Sequence, residues 1–166
     1  MRRLALLACA VLVACAPRPG AAAGGDPGSD RAAQAERVVG VVSVVGSAPM
    51  NVRVQVRPDA GPPVYLAGPL LAEVRRLGGA RVEVRGRRAA GGELEVADYD
   101  VVSVDGRPVR QGTVERAPDG GLQLRLKSGE TVRLQGGTQQ LRPGQKVWVQ
   151  GPGSVTVQTY GIIADG

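Results

Sequence analysis

The chain has 166 residues, room for one ordinary domain or two small ones, and 43% of them are apolar. With no Phe, one Trp and three Tyr, its core has to come from Val, Leu and Ala, while 25 Gly and 12 Pro ask for many turns. There is no His and both cysteines lie near the N-terminus, so a His general base, a tetrahedral zinc set and a disulfide framework are all excluded from the rest of the chain.

Met1-Arg2-Arg3 is a short positive segment, and Leu4 to Ala14 is an unbroken apolar run. The run is too short for a bilayer span, which takes about 20 residues, but suits the apolar part of a signal peptide. It ends in Leu12-Val13-Ala14-Cys15, which resembles the lipobox of bacterial lipoprotein precursors. The resemblance implies a leader over 1–14 and an acyl anchor (palmitate or a similar chain) on Cys15. Leu6-Leu7-Ala8-Cys9 fits the same pattern but leaves too little apolar run before it. Ala16 follows the cysteine where enterobacterial inner-membrane retention would place Asp, so the outer membrane or periplasmic face is expected. Loss of Arg2 and Arg3 lowers the formal charge from +6 to +4, too mild to signal nucleic acid.

Residues 15–37 carry the lipidated cysteine and an Ala-, Gly- and Pro-rich tether. Two related units are expected beyond it, over 38–106 and 107–166. Leu94–Val102 reappears as Val155–Ile163, Arg81–Gly86 as Lys146–Gly151, and Leu66-Ala67-Gly68 as Leu134-Gln135-Gly136. Val52–Arg57 is matched with Leu122–Lys127, and Gly40-Val41-Val42 with Gly112-Thr113-Val114.

Alternation predicts strands over Val38–Val45, Val52–Arg57, Pro62–Ala67, Arg81–Arg87 and Glu93–Ser103. Between the third and fourth, Gly68-Pro69 opens a helix with Pro69 as its first residue and Leu70, Leu71, Val74 and Leu77 as its apolar stripe. Gly78-Gly79 ends it. Along the last strand the apolar phase switches between Val96 and Tyr99, and again between Val157 and Tyr160, which predicts a bulge in both copies. Five strands with a helix after the third resemble the OB-fold. The expected class is all-β with one short helix, in two tandem small barrels. The second, with Gly137–Leu141 in place of the helix, is a reduced OB-like or SH3-like barrel. The whole resembles bacterial lipoproteins bearing OB-fold-like domains.

No phosphate loop, dinucleotide fingerprint or S-x-x-K pattern is present. No catalytic residue, metal ligand or cofactor is assigned, and the expectation is a protein that is not an enzyme. Asp98 and Asp100, near Glu93 and Glu95, read as a solvated strand edge and not as a calcium site. Arg75, Arg76, Arg81, Arg85, Arg87 and Arg88 form the densest basic stretch, balanced by Glu73, Glu83 and Glu93. The face of strands two and three offers Arg53, Gln55 and Arg57 without an aromatic stacking platform, so no nucleic-acid partner is expected. Trp148 falls opposite the core, where the first copy has Glu83, and should pack against the other repeat or anchor a partner.

Two functions follow from these residues. One is a non-catalytic envelope lipoprotein acting as an interaction or scaffold module for an unidentified envelope protein. The other is a carrier of an anionic ligand, a glycan or lipid head group, on Arg53, Arg57 and Arg85. A deep arginine-lined pocket favours the carrier, and a shallow surface favours the scaffold.

Overall fold

A computed structural model describes residues 35–47, 51–152 and 156–166. The expected leader, Cys15 and the expected tether as far as residue 34 lie outside the described residues, as does Val155. The protein is all-β with one short helix.

The first barrel contains β1 (Ala35–Val45), β2 (Arg53–Pro58), β3 (Val64–Ala67), α1 (Leu71–Arg75), β4 (Arg81–Arg88) and β5 (Leu94–Val104). Its sheet runs β3-β2-β1-β4-β5, and a parallel pairing of β3 with β5 (Leu66↔Leu94, Ala67↔Glu95) closes it. A five-stranded barrel so closed, with its helix after the third strand, has the OB-fold arrangement. Closure leaves little open edge, which a Val-rich sheet would otherwise expose to aggregation. β1 begins at Ala35, so Ala35 to Arg37 belong to the barrel and not to the tether; they pair with Arg87 to Arg85. The helix is shorter than expected. Pro69 sits in the preceding turn, where Leu71 N–H donates to Gly68 O, and the first helical residue is Leu71. Val74 and Leu77 are buried as the stripe requires, and Gly79, at φ 85°, ends the turn.

The second barrel contains β7 (Arg110–Arg116), β8 (Leu122–Leu126), β9 (Thr131–Arg133), β10 (Gln135–Gly136), β11 (Lys146–Gln150), β12 (Thr156–Val157) and β13 (Thr159–Ala164). A two-residue strand, β6 (Arg107–Pro108), pairs with the end of β5 just before it. β9 and β10 are one strand interrupted at Leu134, and β12 and β13 one interrupted at Gln158. The sheet order is β13-β11-β7-β8-β9, and β10 pairs with β12 in parallel (Gln135↔Thr156, Gly136↔Val157). This is the closure of the first barrel repeated, which favours the OB-like reading of the second copy over the SH3-like one.

Strand registers put the repeat on a geometric footing. Val84↔Tyr99 and Val82↔Val101 in the first barrel answer to Val149↔Tyr160 and Val147↔Ile162 in the second. Even the register slip recurs, between Arg81 and Val82 and between Lys146 and Val147. The expected bulge is also present. Ala97 falls between the pairs Arg85↔Asp98 and Gly86↔Val96, and Gln158 occupies its place in the second copy. One expected match is out of step. Gly40 faces Pro58 while Gly112 faces Leu126, so β2 and β8 align with Pro58 on Leu126, two residues from the expected pairing.

The first core is built of Val, Leu and Ala80 with Tyr99 and Ile163, and the second of Val and Leu alone. Glycine allows a close backbone approach at equivalent places in the two. A Cβ on Gly86 would stand 2.0 Å from Glu95 O, and one on Gly151 would stand 1.8 Å from Thr156 O, the equivalent atom. Gly86→Ala and Gly151→Ala should therefore each cost about 1–3 kcal/mol through forced backbone shifts. Gly91→Ala, with nothing near its Cβ, should stay within about 0.5 kcal/mol of wild type. Urea unfolding of the three variants checks this.

Candidate functional site

The most elaborated chemistry lies where the barrels meet. On β11 and β13 of the second barrel, outward residues replace those of the first barrel in kind as well as in identity. Trp148 stands where the first barrel has Glu83, Gly161 where it has Asp100, and Gln150 where it has Arg85. Trp148 and Gly161 are cross-strand partners, and a Cβ on Gly161 would come within 2.4 Å of the indole Nε1. The glycine lets the ring lie flat across the strand. The indole then packs against the first barrel's core, together with Val104 and Val109. Trp148 thus makes the inter-repeat contact that alternation suggested.

Ile163 goes further. It is 1% exposed and belongs to the core cluster of the first barrel, although β13 is a strand of the second. Its neighbour Ile162 packs on the second core. Alternation along a single strand therefore puts one side chain into each barrel. The repeat equivalent of Ile163 is Val102, which is 41% exposed.

Polar groups complete the joint. Lys146 Nζ reaches Glu73 at 2.8 Å and lies 4.4 Å from the centre of the Tyr99 ring, while Tyr99 donates its hydroxyl to the same carboxylate. Burial raises the Tyr99 hydroxyl well above its ordinary range, and the adjacent Glu73 carboxylate adds to the effect, so it remains a donor. Burial alone would raise Glu73, but its bonds from Lys146 and Tyr99 outweigh that and hold it below the usual value. Gln111 Oε1 accepts the Val101 N–H at 2.7 Å, and Gln150 donates to Val104 O at 2.9 Å and Arg107 O at 3.2 Å.

A cleft of about 270 Å³ opens beside the joint, lined among others by Asp98, Tyr99, Asp100, Arg125, Lys127 and Lys146. Arg85 spans Asp98 and Asp100 at 2.5 Å each and Glu83 at 2.9 Å. Lys127 crosses from the second barrel to the same two aspartates. Burial would raise Asp98, yet its bonds to Lys127 and Arg85 hold it low. The acidic group is therefore an ion-pair network, and among the described residues no cluster of acidic groups is arranged for a metal.

The arginines singled out for an anionic ligand do not converge. Arg53 pairs with Glu93 at 2.6 Å and stacks on Tyr65, and Arg85 is committed to its three carboxylates. Arg57 is exposed and has no acidic partner among the described residues. The clefts that described residues form at Asp98, at Val149 and at Val96 are lined by none of the three. Sequence reasoning missed Glu73, Tyr99, Lys127, Lys146 and Ile163. A difference between copies at matched outward positions pointed to the seam through Trp148, Gln150 and Gly161, but none of the five missed residues carries that signal. No family model, curated protein or solved structure matches the chain.

Two outcomes test the joint. Ile163→Ala should cost about 2–5 kcal/mol, and amide exchange should rise in β1 and β4 of the first barrel, not only in β13. Glu73 has a lowered folded-state pKa, so its contribution is present above the ordinary glutamate value and is lost as pH falls through the folded value. Acidification below about pH 4 should loosen the joint, and Glu73→Gln should reduce that acid sensitivity in thermal melts.

Proposed function

We propose that this protein is a non-catalytic lipoprotein of the cell envelope, held at a membrane through Cys15, in which two joined barrels act as one interaction or scaffold module. The observation that carries the reading is the joint itself. A core residue of the first barrel comes from the last strand of the second, so the barrels present one composite surface at fixed geometry. A scaffold needs that constancy, whereas two freely hinged modules would spend binding energy on ordering themselves. The self-paired Arg85–Asp98–Asp100–Lys127 network also favours a surface that meets a partner through shape over one that grips a free anion.

The address rests on the N-terminus: Met1-Arg2-Arg3, the apolar run to Ala14, and Leu12-Val13-Ala14-Cys15 before an Ala- and Gly-rich tether. More than one acyl chain on Cys15 would hold the protein stably, at about 0.8 kcal/mol per buried CH₂. The outer membrane is the proposed location, since Ala16 lacks the acidic character of an inner-membrane retention signal.

Intact mass of the membrane-extracted protein tests this directly. The expected product starts at residue 15 and carries added acyl mass, which Cys15→Ala abolishes while releasing the protein from the membrane fraction. A full-length or unacylated chain in wild type would sink the lipoprotein reading. Rotational diffusion of the mature protein should likewise be that of one body, with both barrels sharing a correlation time.

A further inference from the structure

Among the described residues, the ladder of the second barrel stops short at one end where that of the first continues, and the reason lies in the connection between them. In the first barrel, β1 extends past Val38, and Arg37 and Glu36 pair with Arg85 and Gly86 of β4. The residues in equivalent places before β7 are Val109 and Pro108. Pro108 and Arg107 are drawn away to pair with β5 of the first barrel, and Val109 packs on that barrel's core. The ladder between β7 and β11 therefore ends at Arg110↔Val149, and Gly151 lies past the last pair on both sides of β11.

A cleft of about 280 Å³ is left at this mouth, lined by Pro108, Val109, Arg110, Val149 and Gly151. Its walls are apolar apart from Arg110. The register places Arg110 where the first barrel has Val38, which is 7% exposed and fills the corresponding end of that core. A cation thus occupies a position whose repeat equivalent is a core valine. Arg110 is exposed and has no acidic partner among the described residues.

The cleft is preorganised. Gln150 donates to Val104 O and Arg107 O, which fixes the hairpin whose turn is Asp105 (φ 48°) and Gly106 (φ 73°). Gly151 can carry no side chain into the space because its Cβ direction meets Thr156 O. Charge balance points the same way. The acidic and basic residues of 38–106 are equal in number, whereas 107–166 holds eight basic residues against four acidic ones.

We propose that this mouth is a binding site for a small organic anion, a carboxylate or phosphate ester with a short apolar body. The Arg110 guanidinium would take the oxyanion in a charge-assisted pair, with the apolar portion against Pro108, Val109 and Val149. The proposal stands apart from the scaffold reading, since the site needs neither the lipid nor a protein partner.

The test is a titration of the full-length protein in an uncharged detergent, following backbone amides by NMR, with butyrate, butyl phosphate and inorganic phosphate as probes. Butyrate and butyl phosphate should give saturable shifts at Val149 and Gly151, with inorganic phosphate weaker. Arg110→Gln should weaken both organic anions at least about tenfold, the loss of one charge-assisted contact. Arg110→Val, the residue the first barrel uses, should remove the cation and abolish binding without lowering the melting temperature. Unsaturable shifts with every probe, or unchanged affinity in Arg110→Gln, would overturn the site. Inorganic phosphate binding as tightly as butyl phosphate would overturn the apolar half of the assignment. A failed lipid assay would leave these results untouched.

Discussion

The architecture depends on one strand serving two cores. β13 puts Ile162 against the second barrel and Ile163 into the first, so the first core is incomplete without the second barrel's chain. Each barrel is about 60 to 70 residues, a size at which a single core supplies little margin. Sharing a strand offsets this, because apolar surface that would face water on an isolated barrel is buried between them. The exposed Val102 marks what the equivalent position looks like without a neighbour.

Once that seam exists, the outward face of the second barrel has to change chemistry. The first barrel keeps Glu83, Arg85 and Asp100 on β4 and β5, where their charges pair in solvent. The matched positions of the second barrel are Trp148, Gln150 and Gly161, which can be covered. A carboxylate at 148 or a guanidinium at 150 would have to lose its water on docking, a cost that two neutral groups and a glycine avoid. Glu73 and Lys146, which remain charged at the seam, are partners of one another, and the Tyr99 hydroxyl donates to Glu73 while Lys146 lies over the Tyr99 ring. The inward pairs Val84↔Tyr99 and Val82↔Val101 therefore keep their character as Val149↔Tyr160 and Val147↔Ile162, while the outward residues at the seam change theirs.

Much of the fold was legible for physical reasons. Valine alternation, the Gly-Gly after an apolar helical stripe, and the phase switch on the fifth strand each report local backbone geometry, and local geometry is written in adjacent residues. The match of β2 to β8 slipped because alternation has period two. A shift of two residues keeps every side chain on the same face and leaves the pattern equally good. The site was less legible. Arg85 reads as a free cation until folding brings Asp98 and Asp100 across the strand, and Lys127 is remote from them in sequence. Trp148 could be placed because alternation settles its face, while Ile163, in an apolar pair at the end of the chain, gave no sign of which core it enters.

Arg110 follows from the same accounting. A tandem of closed barrels cannot place its connecting segment in both sheets at once. Arg107 and Pro108 extend the first sheet as β6, and Val109 covers its core, so the second barrel begins without the strand extension that seals the first. A proline at 108 fits this arrangement, since it has no N–H to contribute to the missing ladder. The seam that completes one core thus opens the end of the other. The position there is occupied by a residue long enough to carry its charge out to water, because a valine would be left with its apolar surface half uncovered.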